Sequence, residues 1–299
     1  MKKILIFAAA VLCLAVSCKS EPAQPVKKDI GIQLYSVRKI LNTAEKPYAE
    51  NYKAVFKALA DMGYTCVEPA NYGNGKFYGR TPEEFRADVE EAGMRVISSH
   101  TNRQLTPEEY ASKDFSAALD WWKEAVVAHK ATGMEYIVIP SFKIPDNLVD
   151  LKFYCDYLNA VGKICKDAGL KLGYHNHHRE FGTVEDQVIY DFMLQNTDPE
   201  LVFFQMDVYW AVVGKASPVA YYKKYPGRFR LMHIKDWKEV GQSGMVGFDA
   251  IFKNFDAAGC EGIIVEMEAS SYNDILRTSK ESIDYLNAAA FVPASYTKK

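Results

Sequence analysis

The chain has 299 residues, with 36 Lys+Arg against 38 Asp+Glu, and is 48% hydrophobic and 25% charged. This is ordinary globular composition, which excludes a disordered chain, a collagen and a disulfide scaffold. The net charge of −2 leaves no basic footprint for nucleic acid.

Lys2 and Lys3 precede an apolar run from Ile4 to Val16. The run is short for a bilayer span and has the length of a signal-peptide core. It ends in Leu14-Ala15-Val16-Ser17-Cys18, which resembles a bacterial lipobox with Cys18 as the lipidated residue. The expectation is a lipoprotein signal peptide over 1–17, a flexible Pro- and Ser-containing tether over 18–28, one domain over 29–290 and a tail over 291–299. The protein would be exported and held at a membrane by its lipid, periplasmic or at the cell surface. An ordinary secretory signal is the plainer alternative. Cys66, Cys155, Cys165 and Cys260 are scattered without a CxxC and read as free thiols.

From Asp29 onward, short apolar runs alternate with helical patterns. The expected strands are 30–36, 66–70, 95–101, 136–141, 171–177, 202–210, 230–237 and 262–269. Between them, 52–62 carries Val55, Phe56, Leu59 and Met62 at helical spacing. Thr81-Pro82-Glu83-Glu84 and Thr106-Pro107-Glu108-Glu109 are helix starts. Further helices are expected over 147–168, 218–225, 249–258 and 273–289. Eight βα units in sequence predict α/β architecture, a single (β/α)8 TIM barrel. A doubly wound sheet is the alternative, but no G-x-G-x-x-G follows the first strand, and Gly73, Gly75 and Gly79 read as a flexible loop.

Barrel chemistry sits at the C-terminal ends of the strands. Ionisable residues end nearly every strand: Glu68, His100, His175 and His177, Asp207, His233 with Lys235 and Asp236, and Glu266 with Glu268. Each alone reads as a capped or paired core residue. Together, Asp207, His233 and Glu266 fall at matching ends of three successive strands. With a ligand from strand five they make an N/O set suited to one divalent ion, Mn, Zn, Co, Fe or Mg. Glu268 is expected to reach solvent beyond the mouth. Tyr35, Tyr72, Trp210 and Trp237 stand near strand ends, either to stack on a sugar or to pack the barrel.

The stretches Gly31-Ile32-Gln33-Leu34-Tyr35-Ser36-Val37-Arg38, Val67-Glu68-Pro69, Gly173-Tyr174-His175-Asn176-His177, Phe204-Gln205-Met206-Asp207, His233-Ile234-Lys235-Asp236 and Val265-Glu266 resemble the xylose-isomerase-like barrel family of sugar isomerases, epimerases, inosose dehydratase and endonuclease IV. The resemblance implies metal ligands Asp207, His233 and Glu266. The strand-five Glu of many relatives is replaced here by His175, with His177 or Glu180 as substitutes for the fourth ligand. Three-metal phosphodiester cleavage is not expected, because Trp210 stands where that branch has a His and no His follows His233. The implied chemistry is proton removal next to a ketone held on the metal, through an enediolate. The expected substrate is a non-phosphorylated sugar or keto-sugar. His177, Glu180, Glu68, His100 and Lys235 are the acid–base candidates, and Tyr35, Trp210 and Trp237 the substrate-binding ones. Elimination from a 3-keto-glycoside is the alternative outcome, and a non-catalytic sugar-binding lipoprotein the second. Nothing in the sequence sets an oligomeric state.

Overall fold

The computed structural model describes residues 27–296; the signal, Cys18 and most of the tether lie outside the described residues. Eight parallel strands are present: β1 (Gly31–Gln33), β2 (Cys66–Glu68), β3 (Arg95–Val96), β4 (Tyr136–Ile139), β5 (Lys171–His175), β6 (Val202–Asp207), β7 (Leu231–Lys235) and β8 (Gly262–Glu266). They neighbour one another in the order β3-β2-β1-β8-β7-β6-β5-β4. The ring closes between β3 and β4, where His100 bridges Val138 and the Val138 amide donates to Ser99 at 2.8 Å. The (β/α)8 barrel is therefore the observed fold.

The principal outer helices are α1 (Tyr48–Met62), α2 (Pro82–Glu91), α3 (Ser116–Ala131), α4 (Leu148–Asp167), α5 (Ile189–Asn196), α6 (Pro218–Lys224), α7 (Phe248–Phe252) and α8 (Ile275–Ala288). Thr81 and Thr106 each close a reciprocal capping box, with Glu84 and Glu109. The helix expected over 249–258 is broken into α7 and a second turn, Phe255–Ala258.

Most strands are shorter than their apolar runs, and the reasons are local. β6 stops at Asp207 because its side chain accepts from the Trp210 amide and caps the helix Val208–Val213. β1 stops at Gln33, whose side-chain oxygen accepts from the Tyr35 amide and starts the 3-10 turn Leu34–Val37. The glycine cluster expected to be a flexible loop is instead an antiparallel hairpin pairing Tyr72–Gly73 with Lys76–Phe77.

Two apolar layers result. The larger lies between sheet and helices. The smaller fills the barrel itself: Cys66, Ile97, Tyr136, Val138, Phe203, Leu231 and Ile264. Gly173 makes room there, since a Cβ on it would meet the Phe203 ring at 2.4 Å. Period-two alternation then places the next inward residues toward the C-terminal end, and these are polar. The barrel is thus plugged below and polar above. At the lower pole the two described ends meet, where the Asp29 amide donates to the Ala294 carbonyl at 2.9 Å. Cys66, Cys155, Cys165 and Cys260 are free, as expected.

Candidate metal centre and sugar cavity

Strand register assembles the site. Asp207 is level with His233, Gln205 with His175, Gln33 with Glu68, and Lys235 with Glu266. Donor atoms of His175, Asp207, His233 and Glu266 all lie within 4.8 Å of one another, and all four residues are buried. The sequence-derived four are thus brought together. His100, His175 and His233 form an overlapping cluster.

The donor set fits a divalent cation. Oδ1 of Asp207 accepts from the Trp210 amide at 2.8 Å, whereas Oδ2 is buried with no partner. A bare buried carboxylate oxygen aimed among other donors is costly unless a cation takes it. Burial first, and Glu266 next, push the Asp207 carboxyl up to about 7 against the pull of Lys235. His175 donates from Nδ1 to Gln205 Oε1 at 3.1 Å, leaving Nε2 with its lone pair. Burial, with His233 and His100 beside it, pushes the pKa of His175 well below the usual imidazole value, as a ligand requires.

Glu68 is the hub behind the site. It accepts from His233 Nε2 at 2.7 Å, Gln33 Nε2 at 2.8 Å, Gln205 Nε2 at 2.9 Å and the Ser98 hydroxyl. Burial would raise its pKa, but His100 and His233 outweigh that and hold it down at about 2. Burial likewise opposes charge on His233, yet Glu68 and Glu266 hold its pKa up at about 10. Because Nε2–H of His233 is committed to Glu68, Nδ1, 3.2 Å from Glu266, is the nitrogen that would face a metal, giving up its proton to the incoming ion.

A cavity of about 460 Å³ opens onto this set, lined among others by Tyr35, Tyr72, His100, Thr101, His177, Glu266 and Glu268. His177 lies with its ring 5.0 Å from that of His175. Glu180, expected at the mouth, is turned away. It is buried, accepts from the Tyr174 hydroxyl at 2.5 Å and from the His177 amide at 3.0 Å, and lies outside the cavity lining. Tyr174 faces the outer layer beside Phe142 and Phe204, because it alternates with inward His175. Glu68 is fully enclosed, and His100 donates from Nε2 to Gln205 Oε1 at 2.8 Å. Lys235 is buried, 3.5 Å from Glu268 and over the rings of Tyr209 and Trp210. Glu268 lines the cavity and is also exposed, so it reaches solvent from the wall. Among the expected stacking residues, Tyr35 and Tyr72 line the cavity. Trp210 packs beside His177 and His178, and Trp237 stands 57% exposed near Tyr209.

The sequence reading missed Gln33 and Gln205. Both sit one strand step from ionisable residues, and an inward amide above an apolar plug is a signal that alternation makes available.

A family model described as xylose isomerase-like TIM barrel matches residues 56–289. A crystal structure of a sugar phosphate isomerase/epimerase from Parabacteroides distasonis superposes with a TM-score of 0.80 at 34% identity, covering 93% of this chain and 98% of that one. An inosose dehydratase from Clostridium beijerinckii is 25% identical over 71% of this chain and 81% of its own length. The fold is also that of a 3-keto-D-glucoside 4-epimerase from E. coli, with a TM-score of 0.66 at 19% identity, covering 88% and 100%.

Proposed function

The chain belongs to the xylose isomerase-like TIM barrel family, and on that premise we propose that it is a metal-dependent sugar isomerase or epimerase acting on a non-phosphorylated keto-sugar. The observation that carries the reading is the buried four-residue donor set with the unpartnered Asp207 Oδ2, at the floor of a cavity. His175, Asp207, His233 and Glu266 would hold the ion. When bound, a divalent cation supplies positive charge beside the ketone and its neighbouring hydroxyl, which acidifies the C–H between them.

The chain's own residues divide the remaining work. Two imidazoles outside the four-residue donor set line the cavity, and since His100 is committed through Nε2 to Gln205 we assign His177 as base, taking the proton from the carbon next to the ketone. Glu180 holds the His177 backbone and so positions it. Glu68 orients His233. Glu268 meets a substrate hydroxyl at the wall, Lys235 holds it from behind, and Tyr35 and Tyr72 offer ring faces. Return of the proton to the opposite face gives an epimer, and return to the adjacent carbon gives an isomer. Where a leaving group stands on the carbon β to the ketone, on the far side of the deprotonated carbon, its departure with the electron pair gives elimination. His175, in place of a strand-five carboxylate, favours that last outcome as the second reading, with a 3-keto-glycoside as substrate. Keto-sugars incubated with the metal-loaded protein in deuterated buffer and followed by NMR should gain deuterium at one carbon. A panel of keto-sugars left unlabelled and intact overturns the reading.

We also infer export and a lipid anchor, supported by Lys2, Lys3, the apolar run and Cys18. Mass spectrometry of the native N-terminus should find an acylated Cys18, and an unmodified terminus elsewhere rejects it.

A further inference from the structure

The mouth of the barrel does not end at the donor set. A second cavity, of about 540 Å³, opens beside the first, between the turn after β1 and the loop that leads into α8. Glu268 lines both cavities, and the consecutive residues Tyr35 and Ser36 line one each. Glu268 is tied from the buried side by Lys235 at 3.5 Å. The neighbouring wall is firm as well: the Arg38 guanidinium lies 3.8 Å over the Tyr35 ring and donates to the Tyr35 carbonyl at 2.6 Å.

The second cavity has two kinds of surface. Ile40 and Leu276 are half-buried and apolar, while Lys39 and Asn273 are exposed and polar. A pyranose presents C–H faces and a rim of hydroxyls, and matches such a mixed wall. Both cavities fall within the roughly 300–1,000 Å³ common for small-molecule sites. One sugar unit on the donor set would leave the second cavity unused.

We propose that the substrate is a two-unit glycoside. The keto-sugar unit sits in the cavity over the donor set, the second sugar unit sits in the adjoining cavity, and the bond between them passes Glu268. This rests on the sugar reading above and adds the substrate's size and direction. The second unit points toward β8 and β1.

The test is calorimetric binding to the metal-loaded full chain, which does not depend on turnover. The probes are glucose, maltose, cellobiose and trehalose, each with its 3-keto form. At least one two-unit sugar should bind about 10-fold or more tighter than its one-unit counterpart, the scale of one added set of contacts worth 1.4 kcal/mol. Ala269→Trp, at an exposed position in the second cavity, should erase that gain, and Lys39→Glu should reduce it. Equal affinities for one- and two-unit sugars, or a gain that survives Ala269→Trp, overturn the proposal. If Ala269→Trp does not fold, Lys39→Glu decides. A protein that labels keto-sugars in deuterated buffer without preferring two units loses only this inference. One that prefers two units but labels none loses only the catalytic reading.

Discussion

At the scale of single residues, the site separates groups that bind from groups that are merely held. Both oxygens of Glu68 are used by four neighbours, so its work is to fix His233 and keep its Nε2–H pointed backward. Glu68→Gln should therefore weaken metal affinity by roughly 10–100-fold, the usual cost of losing a partner behind a ligand. Competitive titration with a chelator measures it, and unchanged affinity would remove Glu68 from that role. His177 has the opposite profile, since it lines the cavity outside the donor set. His177→Ala should lower solvent deuterium exchange by roughly 10²-fold or more with metal content preserved. Loss of metal instead would make His177 a ligand. The convergence of Asp207, His233 and Glu266 was legible because charged residues interrupt apolar strands at equal depth. Glu180 was misplaced because its distance along the chain says nothing about which side of β5 Tyr174 faces.

At the scale of elements, glycine placement and buried hydrogen bonds set what the barrel tolerates. Gly173→Ala puts a methyl into the Phe203 ring and should cost about 1–3 kcal/mol, the usual range for overpacking. Urea unfolding checks it, and a neutral result would mean that Phe203 can move aside. His129 on α3 is buried, hydrogen-bonded to Thr101 at 2.8 Å and to the Ala125 carbonyl at 2.6 Å. Burial pushes its pKa down to about 4. The unfolded chain takes up this proton near 6.5 and the folded chain does not until about 4, so stability is full above pH 6.5 and falls as pH drops between those values. The loss attributable to His129 at pH 4 is roughly 3 kcal/mol. His129→Gln should unfold in urea with a visibly smaller difference between pH 7 and pH 4.5 than the native sequence shows. If the two differences match, His129 is not the group responsible. α3 itself escaped the sequence reading because its inner face relies on Ala118, Ala125 and Ala128 around one Trp122, which gives weak contrast.

At the scale of the whole molecule, the eight-fold βα alternation was readable, since every apolar run found its strand. The strand ends were not, because β1 and β6 are cut by side-chain caps that depend on three-dimensional aim. The small hairpins Tyr72–Gly73 with Lys76–Phe77 and Thr183–Val184 with Gln187–Val188 decorate the mouth-side loops after β2 and β5. Two-residue strands leave too little periodicity to detect. The meeting of Asp29 with Ala294 has a practical consequence. Both described ends leave from the pole opposite the two cavities, so that pole serves as a handle and the other stays free. A short linker joining residue 296 to residue 27, with the chain reopened at the Gly133 turn between α3 and β4, would yield a circular permutant with its new termini at the handle. A bulky fusion at either end would likewise hang behind the barrel and leave substrate entry unobstructed.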